Sequence, residues 1–154
     1  MSRKQLMLLM MLSAEVVANA DNFIKEVIEK KIADGEKRQI LNECVTIQKH
    51  HNKGFSLNKL DKYQKEVSYV SLLALLIEVI YAGKGVIDDR SPLFLLAHSL
   101  IIGGAVSNTF DRLYRKYVVD YLSFGKGRVI YNLSDLCIFT GVLAAVLDEL
   151  NNIK

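Results

Sequence analysis

The chain has 154 residues, of which 51% are hydrophobic and 24% are charged, and this length suits a single domain over residues 1–154. The formal net charge of +3 is too small to indicate nucleic-acid binding, and no basic stripe carries interleaved aromatic residues. The two cysteines, Cys44 and Cys137, and the three histidines lack the spacing of metal ligands. We therefore expect no nucleic-acid partner, no metal and no organic cofactor.

Four apolar segments alternate with polar loops along the chain. They predict helices at about residues 5–24, 66–83, 92–112 and 131–150. A membrane-spanning helix needs about 20 mostly apolar residues. Residues 92–110 of the third segment come close to that length without an acid, whereas the other segments include Glu15, Glu78 and Asp135. An acid at the centre of such a helix costs roughly 2.5–3.5 kcal/mol, so each is expected near the membrane surface or facing other helices. The pattern favours an all-α membrane protein, with a soluble helical bundle as the alternative.

The N-terminal segment has some features of a secretory signal. Two basic residues precede an apolar stretch, and Ala18-Asn19-Ala20 has the form of a cleavage site. Glu15, however, falls inside what would be the hydrophobic part of the signal, and Asp21 and Lys25, one turn apart, suggest the end of a retained helix. We interpret the segment as a first membrane helix, with cleavage as the alternative.

Positive charges give an ambiguous orientation for the predicted helices. The two long loops, from Lys25 to Glu66 and from Arg112 to Arg128, lie on one side and carry fifteen of the twenty basic residues. The positive-inside rule would place these loops in the cytoplasm. Because acids nearly balance the basic residues of the first loop, that loop carries little weight, and charge alone leaves the orientation open.

Polar residues gather at the ends of the third and fourth apolar segments. The stretch GGAVSNTFDR, residues 103–112, is rich in small residues that let helices approach closely. It also places four residues on one helical face: Gly104, Asn108, Asp111 and Arg112. Asp120 follows in the second polar loop, and Asn132 and Asp135 lie one turn apart at the start of the last segment. We expect these polar groups to meet inside the bundle.

Two carboxyl groups that share one proton can hydrolyse a peptide bond without a metal. One carboxylate takes a proton from the attacking water while the other, protonated, donates to the carbonyl oxygen. Repulsion between close like charges keeps one of the two protonated. Asp120 and Asp135 are candidates for such a pair. The alternative is structural, because Asp135 after Ser134 could simply begin a helix, and composition and spacing leave both open.

The sequence GGAVSNTFDRLYRKYVVDYL, followed by YNLSD, resembles the lipoprotein signal peptidase family. Members of that family carry Gly-Gly-Ala-x-Gly-Asn-x-x-Asp-Arg, then Val-Val-Asp-Phe, and then Phe-Asn-x-Ala-Asp at the start of the last helix. The segment from Asp21 to Lys25 resembles the family's Asp-Gln-x-x-Lys, and Asn52-Lys53-Gly54 resembles the Asn-x-Gly of its first outward loop. The resemblance extends over four helices and two loops, essentially the whole chain.

The resemblance implies a fold, a reaction and a location. The fold would be four transmembrane helices, with a small β element and an amphipathic segment in the first extracytoplasmic loop, from Lys25 to Glu66. The reaction would remove the signal peptide from diacylglyceryl-modified bacterial prolipoproteins, cutting just before the lipidated cysteine. The protein would lie in the bacterial cytoplasmic membrane, in contact with membrane lipid, with its active site facing the extracytoplasmic side.

The resemblance also implies roles for individual residues. Asp120 and Asp135 match the catalytic pair of an aspartic peptidase. The residues that match supporting or substrate-binding positions are Asp21, Lys25, Asn52, Gly54, Asn108, Asp111, Arg112 and Asn132. The alternatives are a non-catalytic relative that binds lipidated peptides and a soluble helical interaction protein.

The chain departs from the family pattern at a few positions. Ser107 stands where Gly is usual and Ser134 where Ala is usual, and both are small enough to keep helices close. Tyr131 replaces Phe and adds a hydroxyl that needs a polar partner or water. Phe55-Ser56-Leu57 replaces the usual Ala-x-Phe after the Asn-x-Gly element, which bears on how this loop fits lipid or peptide.

Overall fold

The computed structural model describes residues 2–54, 60–125 and 129–153. Its helices, in chain order, are α1 (Arg3–Lys31), α2 (Gln64–Ile87), α3 (Pro92–Tyr114) and α4 (Leu133–Asn152). Its strands are β1 (Lys37–Ile40), β2 (Val45–Asn52) and β3 (Val118–Phe124). A helix is therefore present at each of the four predicted places, and a three-stranded sheet accompanies them.

The starts of the later helices carry caps that the sequence supplies. The hydroxyl of Ser91 caps α3, with Pro92 in the first helical position, where its missing N–H costs nothing. The side chain of Asn132 accepts from the backbone N–H of Asp135, and the Asp135 carboxylate accepts from the backbone N–H of Asn132, which forms a reciprocal capping box. Asp135 therefore does begin a helix, and the same cap holds its carboxylate in place.

The first helix is longer than predicted. It continues to Lys31 rather than ending near residue 24, because Ile28 and the following Ile32 are buried against strand β3. Burying such a side chain contributes about 1.5–3 kcal/mol. The interpretation of Asp21 and Lys25 as a helix end is therefore wrong, since both lie inside α1 and both are fully buried.

The third helix packs against each of the other three helices, and glycines let it do so closely. A Cβ at Gly103 would lie 2.6 Å from the carbonyl oxygen of Ala14 in α1. A Cβ at Gly104 would lie 2.5 Å from the carbonyl oxygen of Ser134 in α4. Neither space admits a side chain, so glycine is required at both positions. The close helix contacts predicted for this stretch are confirmed.

Within the described ranges, three helices are long and apolar enough to cross a membrane: α1, α2 with the 3-10 turn before it (Asp61–Ile87), and α3. Many large apolar side chains on these helices are exposed, among them Leu8, Ile80 and Leu96. An apolar outer surface of this kind suits lipid rather than water. Of the acids in the predicted segments, Glu78 faces α3 as expected, whereas Glu15 is exposed on α1.

Glu78 of α2 and His98 of α3 form a polar contact in an apolar setting. Nδ1 of His98 lies 2.5 Å from Oε1 of Glu78, and the rings of Tyr81 and Phe94 pack against the imidazole. A buried polar group that loses its partner costs about 1–3 kcal/mol. We expect Glu78→Leu and His98→Leu each to destabilise the protein by about that amount, and the double variant to lose less than the sum. Thermal unfolding in detergent measures this coupling; additive losses would contradict it.

The sheet has the order β1-β2-β3, and both pairs are antiparallel. Strands β1 and β2 form the small β element predicted for the first long loop. Of the predicted amphipathic segment, the described residues include a 3-10 turn at Asp61–Tyr63. Residues 55–59 lie outside the described part of the chain.

Strand β3 corrects the interpretation of residues 112–128 as a polar loop. Val118–Phe124 pairs with β2, so that Asn52 lies opposite Val118 and His50 opposite Asp120. The two successive valines that open this strand were a usable signal, because β-branched residues favour strands. The pairing fixes Asp120 on a sheet and brings the first loop beside it.

Candidate active site

Asp120 and Asp135 come from different elements and line the same cavity, which has a volume of about 580 Å³. Asp120 lies on β3 and is 3% exposed. Asp135 lies in the first turn of α4 and is half-buried. In the described part of the chain, no three His, Cys, Asp or Glu side chains are grouped as metal ligands are. The structure therefore brings together the two acids that the sequence singled out.

Amide groups hold all four oxygens of the two acids. Asn132 bridges them: its Nδ2 donates to Oδ1 of Asp120 at 2.8 Å, and its backbone N–H donates to Oδ2 of Asp135 at 3.2 Å. Nδ2 of Asn52 donates to the other oxygen of Asp120 at 3.1 Å. Nδ2 of Asn108 donates to the other oxygen of Asp135 at 2.9 Å. Amide donors orient carboxyl groups without adding a positive charge, so both acids keep fixed positions.

The Asn52 and Gly54 element reaches the site through β2. The backbone N–H of Gly54 donates to Oδ1 of Asn52 at 3.2 Å, which turns the amide so that its Nδ2 points at Asp120. Asn52 therefore contacts Asp120 directly, and Gly54 acts on it through Asn52. Phe55-Ser56-Leu57, which departs from the family pattern, lies outside the described residues.

Lys25 is the centre of a second, fully buried polar cluster. Its Nζ has four oxygen neighbours: Oδ2 of Asp21 at 2.8 Å, Oδ2 of Asp111 at 2.9 Å, Oγ of Ser107 at 2.9 Å and Oδ1 of Asn108 at 3.0 Å. Arg115 also pairs with Asp111, at 2.7 Å. Two carboxylates and two cations thus balance in this cluster. Lys25 makes no hydrogen bond with the two cavity acids; it holds Asn108, which in turn donates to Asp135.

Three residues around Asp21 were not predicted as site residues. The Tyr121 hydroxyl donates to Oδ1 of Asp21 at 2.9 Å and accepts from the backbone N–H of Leu133 at 3.0 Å, so it ties β3 to the start of α4. The hydroxyls of Ser107 and Ser134 donate to Oδ2 of Asp21 at 2.7 and 2.5 Å. In the sequence these serines stand out only as small residues. Their departure from Gly and Ala was the signal that their hydroxyls take part.

Arg112 lines the cavity and has a hydrogen-bond donor without a partner among the described residues. One guanidinium nitrogen, Nη1, donates to the carbonyl oxygen of Asn108 at 3.1 Å. Its buried Nε has no hydrogen-bond partner among the described residues. An unpartnered buried donor is costly, and the Arg112 side chain lines the same cavity as the two acids. Arg112 can therefore receive an oxygen atom of a bound molecule.

The cavity is polar at one end and apolar along its wall. The acids and their amide partners form the polar end. The wall is made largely of apolar side chains, which include Phe124, Val129, Ile138, Phe139 and Val142. Phe139 is 72% exposed, so this wall continues onto the outer face of α4. The shape suits a ligand that has a polar group to place between the acids and an apolar chain to lay along α4.

Burial, with the nearby carboxyl of Asp135, raises the pKa of Asp120 to about 7. The folded protein then binds this proton more tightly than the unfolded chain, so the Asp120 contribution favours folding most below pH 4 and is lost as the pH rises towards 7. The loss amounts to at most about 4 kcal/mol. Relative to Asp120→Asn, the wild-type unfolding temperature in detergent is expected to fall between pH 5 and pH 8. If the unfolding temperatures of the two proteins change in parallel with pH, the raised pKa of Asp120 is contradicted.

Known proteins are similar to this chain in sequence and in fold. A family model described as signal peptidase (SPase) II matches residues 13–151. The lipoprotein signal peptidase of Brevibacillus brevis is 30% identical over 141 residues, which cover 89% of this chain and 91% of the relative. The lipoprotein signal peptidase of Moorella thermoacetica is 32% identical over 135 residues, which cover 86% of this chain and 87% of the relative.

A solved structure has the same fold. It is a bacterial membrane enzyme determined by the in meso method at 2.3 Å resolution, and it matches with a TM-score of 0.83 at 23% sequence identity. The match covers 94% of this chain and 89% of that chain. Because the family model spans nearly the whole sequence and the relatives match over most of their own length, the chain belongs to the signal peptidase II family, the bacterial membrane peptidases that process lipoproteins.

Proposed function

We propose that this protein is an aspartic endopeptidase that removes the signal peptide from diacylglyceryl-modified bacterial prolipoproteins, cutting just before the lipidated cysteine. The observation that carries the proposal is the meeting of Asp120 and Asp135 at one cavity, each carboxyl group held on both oxygens by amide donors. Membership of the signal peptidase II family supports the substrate class.

In the proposed reaction the two acids share one proton. The raised pKa of Asp120 supports a proton on the pair; we propose Asp120 as the protonated partner and Asp135 as the base. Water between them gives a proton to Asp135 while its oxygen attacks the scissile carbonyl carbon, and Asp120 donates its proton to the carbonyl oxygen. Collapse of the resulting diol breaks the C–N bond. Asp135 then gives its proton to the amine of the cysteine that leaves, and a diol hydroxyl returns a proton to Asp120.

The surrounding residues have supporting roles in this proposal. Asn52, Asn108 and Asn132 orient the two carboxyl groups, and the guanidinium group of Arg112, which lines the cavity, receives a substrate oxygen. Donors fixed before substrate arrives cost no reorganisation during the reaction. Gly54 and Lys25 act through Asn52 and Asn108. Asp21 and Asp111 act one step further away, through Lys25. No cofactor is needed, because the two carboxyl groups move every proton in the sequence above.

The apolar wall of the cavity supports a lipid-modified substrate. A diacylglyceryl group needs an apolar path that opens to the bilayer, and the wall along α4 leads from the acids to the exposed Phe139 and Val142. Burying an acyl chain contributes about 0.8 kcal/mol for each methylene group. The lipid would therefore supply much of the binding energy, and the peptide next to it would be placed between the acids.

We also propose that α4 is a fourth transmembrane helix and that residues 1–154 form a single peptidase domain. One outer face of α4 exposes apolar side chains: Phe139, Val142, Leu143, Val146, Leu147 and Leu150. The protein would lie in the cytoplasmic membrane with the two acids and the sheet on the extracytoplasmic side. Prolipoproteins reach that side after export, so the proposal overrides the orientation that positive charges alone would give.

The test of the substrate class compares two forms of one prolipoprotein, with and without diacylglyceryl on the cysteine. Purified wild-type protein in detergent is expected to cut the lipidated form and to cut the unmodified form at least 100-fold more slowly. This difference in rate corresponds to an effect of order 3 kcal/mol. Product size on a gel and the mass of the new N-terminus measure both rates. Equal rates of cleavage for the two forms would contradict the proposed requirement for the diacylglyceryl group.

The same assay separates the peptidase from a non-catalytic relative. A protein that binds lipidated peptides without cutting them would retain the lipidated form on a column and release it whole. If folded wild-type protein retains the lipidated form without cutting it, the protein is a binding protein and not a peptidase.

A further inference from the structure

A second cavity lies at the end of the molecule opposite the two acids. It is a groove of about 510 Å³ between the start of α1 and the end of α2. Its apolar lining includes Met7, Val79, Ile80 and Ile87, all of which are exposed. Asp21 lies 18 residues further along α1 than Arg3, or about 27 Å at the rise of an α-helix. The groove is therefore separate from the peptidase site.

Three basic residues form the rim of this groove: Arg3, Lys4 and Lys84. Arg3 already pairs with Asp89, with Nη2 2.7 Å from Oδ2. Lys4 and Lys84 are exposed, and neither has an ion pair with a residue in the described ranges. Two ammonium groups without an ion pair among the described residues thus lie beside the apolar groove. The groove lies between α1 and α2, two of the helices that are apolar enough to cross a membrane.

Gly83 keeps the groove open. A Cβ built at this position would meet no atom within 4 Å, and Gly83 lines the groove beside Lys84. A larger side chain here would project into the groove rather than into the helices. This position therefore offers a way to fill the groove without disturbing the packing of α2.

We propose that this groove binds one anionic glycerophospholipid. Its phosphate would lie between the ammonium groups of Lys4 and Lys84, and an acyl chain would lie along Met7 and Ile80. An anionic phosphate complements the two positive charges, and each lysine near an anionic lipid surface adds measurably to binding. A zwitterionic lipid carries its own cation and gains less. If the proposed orientation of the peptidase holds, this lipid belongs to the cytoplasmic leaflet, but binding itself does not depend on the peptidase activity.

The test measures lipid binding directly, by native mass spectrometry of the full chain in neutral detergent. Phosphatidylglycerol and phosphatidylcholine with the same acyl chains are the two probes. We expect phosphatidylglycerol to bind more tightly to wild type, and Lys4→Gln/Lys84→Gln to weaken its binding by about 30-fold. Gly83→Leu is expected to weaken binding of both lipids by filling the groove. Lys31→Gln/Lys37→Gln, which removes two exposed lysines near the other end, serves as the matched control.

The outcomes separate the lipid from simpler explanations. Loss of phosphatidylglycerol binding in the Lys4→Gln/Lys84→Gln and Gly83→Leu proteins, with the control pair unchanged, supports the site. Equal affinity for the two lipids, or equal losses in the rim and control pairs, would overturn it. Inorganic phosphate that binds these lysines as tightly as the lipid does would also overturn it, because the acyl chain would then contribute nothing. Peptidase activity in lipid-free detergent is a fold check, expected to be unchanged in all these variants.

Discussion

Replacing Asp120 or Asp135 by Asn is expected to slow cleavage of a lipidated prolipoprotein by about 10²–10⁴-fold. Asn has nearly the size of Asp, but it can neither take a proton from water nor deliver one to the carbonyl oxygen. Each acid lies at the polar end of the same cavity and accepts from two amide donors. Rates measured under single turnover, with enzyme in excess, report the chemical step rather than product release.

The matched control for these variants is Asp61→Asn, which changes an exposed acid at the start of the 3-10 turn. It makes the same exchange of a carboxyl group for an amide away from the cavity and is expected to keep the wild-type rate. Retention of the lipidated substrate by the Asp120→Asn and Asp135→Asn proteins would show that binding survives. Cleavage at the wild-type rate by either variant would remove that acid from the mechanism.

Replacing Lys25 by Met is expected to destabilise the protein by about 3–5 kcal/mol, the cost of breaking a buried ion pair by removing one partner. The change leaves Asp21 and Asp111 buried without the ammonium group that lies 2.8 and 2.9 Å from them. It also removes a donor that holds Asn108, so the remaining folded protein is expected to cut slowly. Thermal unfolding in detergent measures the stability and a single-turnover assay measures the rate.

Lys30→Met is the matched control for Lys25→Met, because Lys30 lies on the same helix and is exposed. A second variant, Lys25→Met/Asp21→Asn, removes the carboxylate that Lys25→Met leaves without a cation, since Asp111 keeps Arg115, and is expected to recover part of the lost stability. If Lys25→Met unfolds at the same temperature as Lys30→Met, the buried cluster does not stabilise the protein as its geometry implies.

The helices of this protein were predictable because their signals are local. Runs of apolar residues, the Ser91-Pro92 start and the glycines at positions 103 and 104 all act within a few residues of one another. The end of α1 was not predictable. The helix continues to Lys31 because Ile28 is buried against β3, and β3 is far from α1 in the sequence. Hydropathy treated the polar residues after position 24 as the beginning of a loop.

The site was predictable in its members and not in its connections. The motifs indicated Asp120, Asp135 and the asparagines as site residues. Strand β3 was not predicted, and its pairing with β2 places Asn52 beside Asp120. A register of this kind depends on two segments that are about seventy residues apart, and no local pattern records it. The resemblance to a family gave these residues a shared role, while the structure gives the hydrogen bonds that join them.

The hydroxyl groups around Asp21 could not be predicted from residue type alone. Ser107 and Ser134 occupy positions where small size is needed, and size was the property that the sequence made visible. Whether a serine inside a helix bundle donates to a carboxylate depends on which helix faces it. In this protein α1, α3 and α4 converge so that both hydroxyls donate to one oxygen of Asp21.

The most direct test of the central claim is cleavage of one diacylglyceryl-modified prolipoprotein by purified wild type, beside Asp120→Asn/Asp135→Asn. Both proteins are first shown to be folded by thermal unfolding in the same detergent. The account predicts that wild type releases a product whose N-terminus is the lipidated cysteine and that the double variant releases none. A folded wild type that leaves the substrate whole, or a double variant that still cuts it, would contradict the assignment of the two acids.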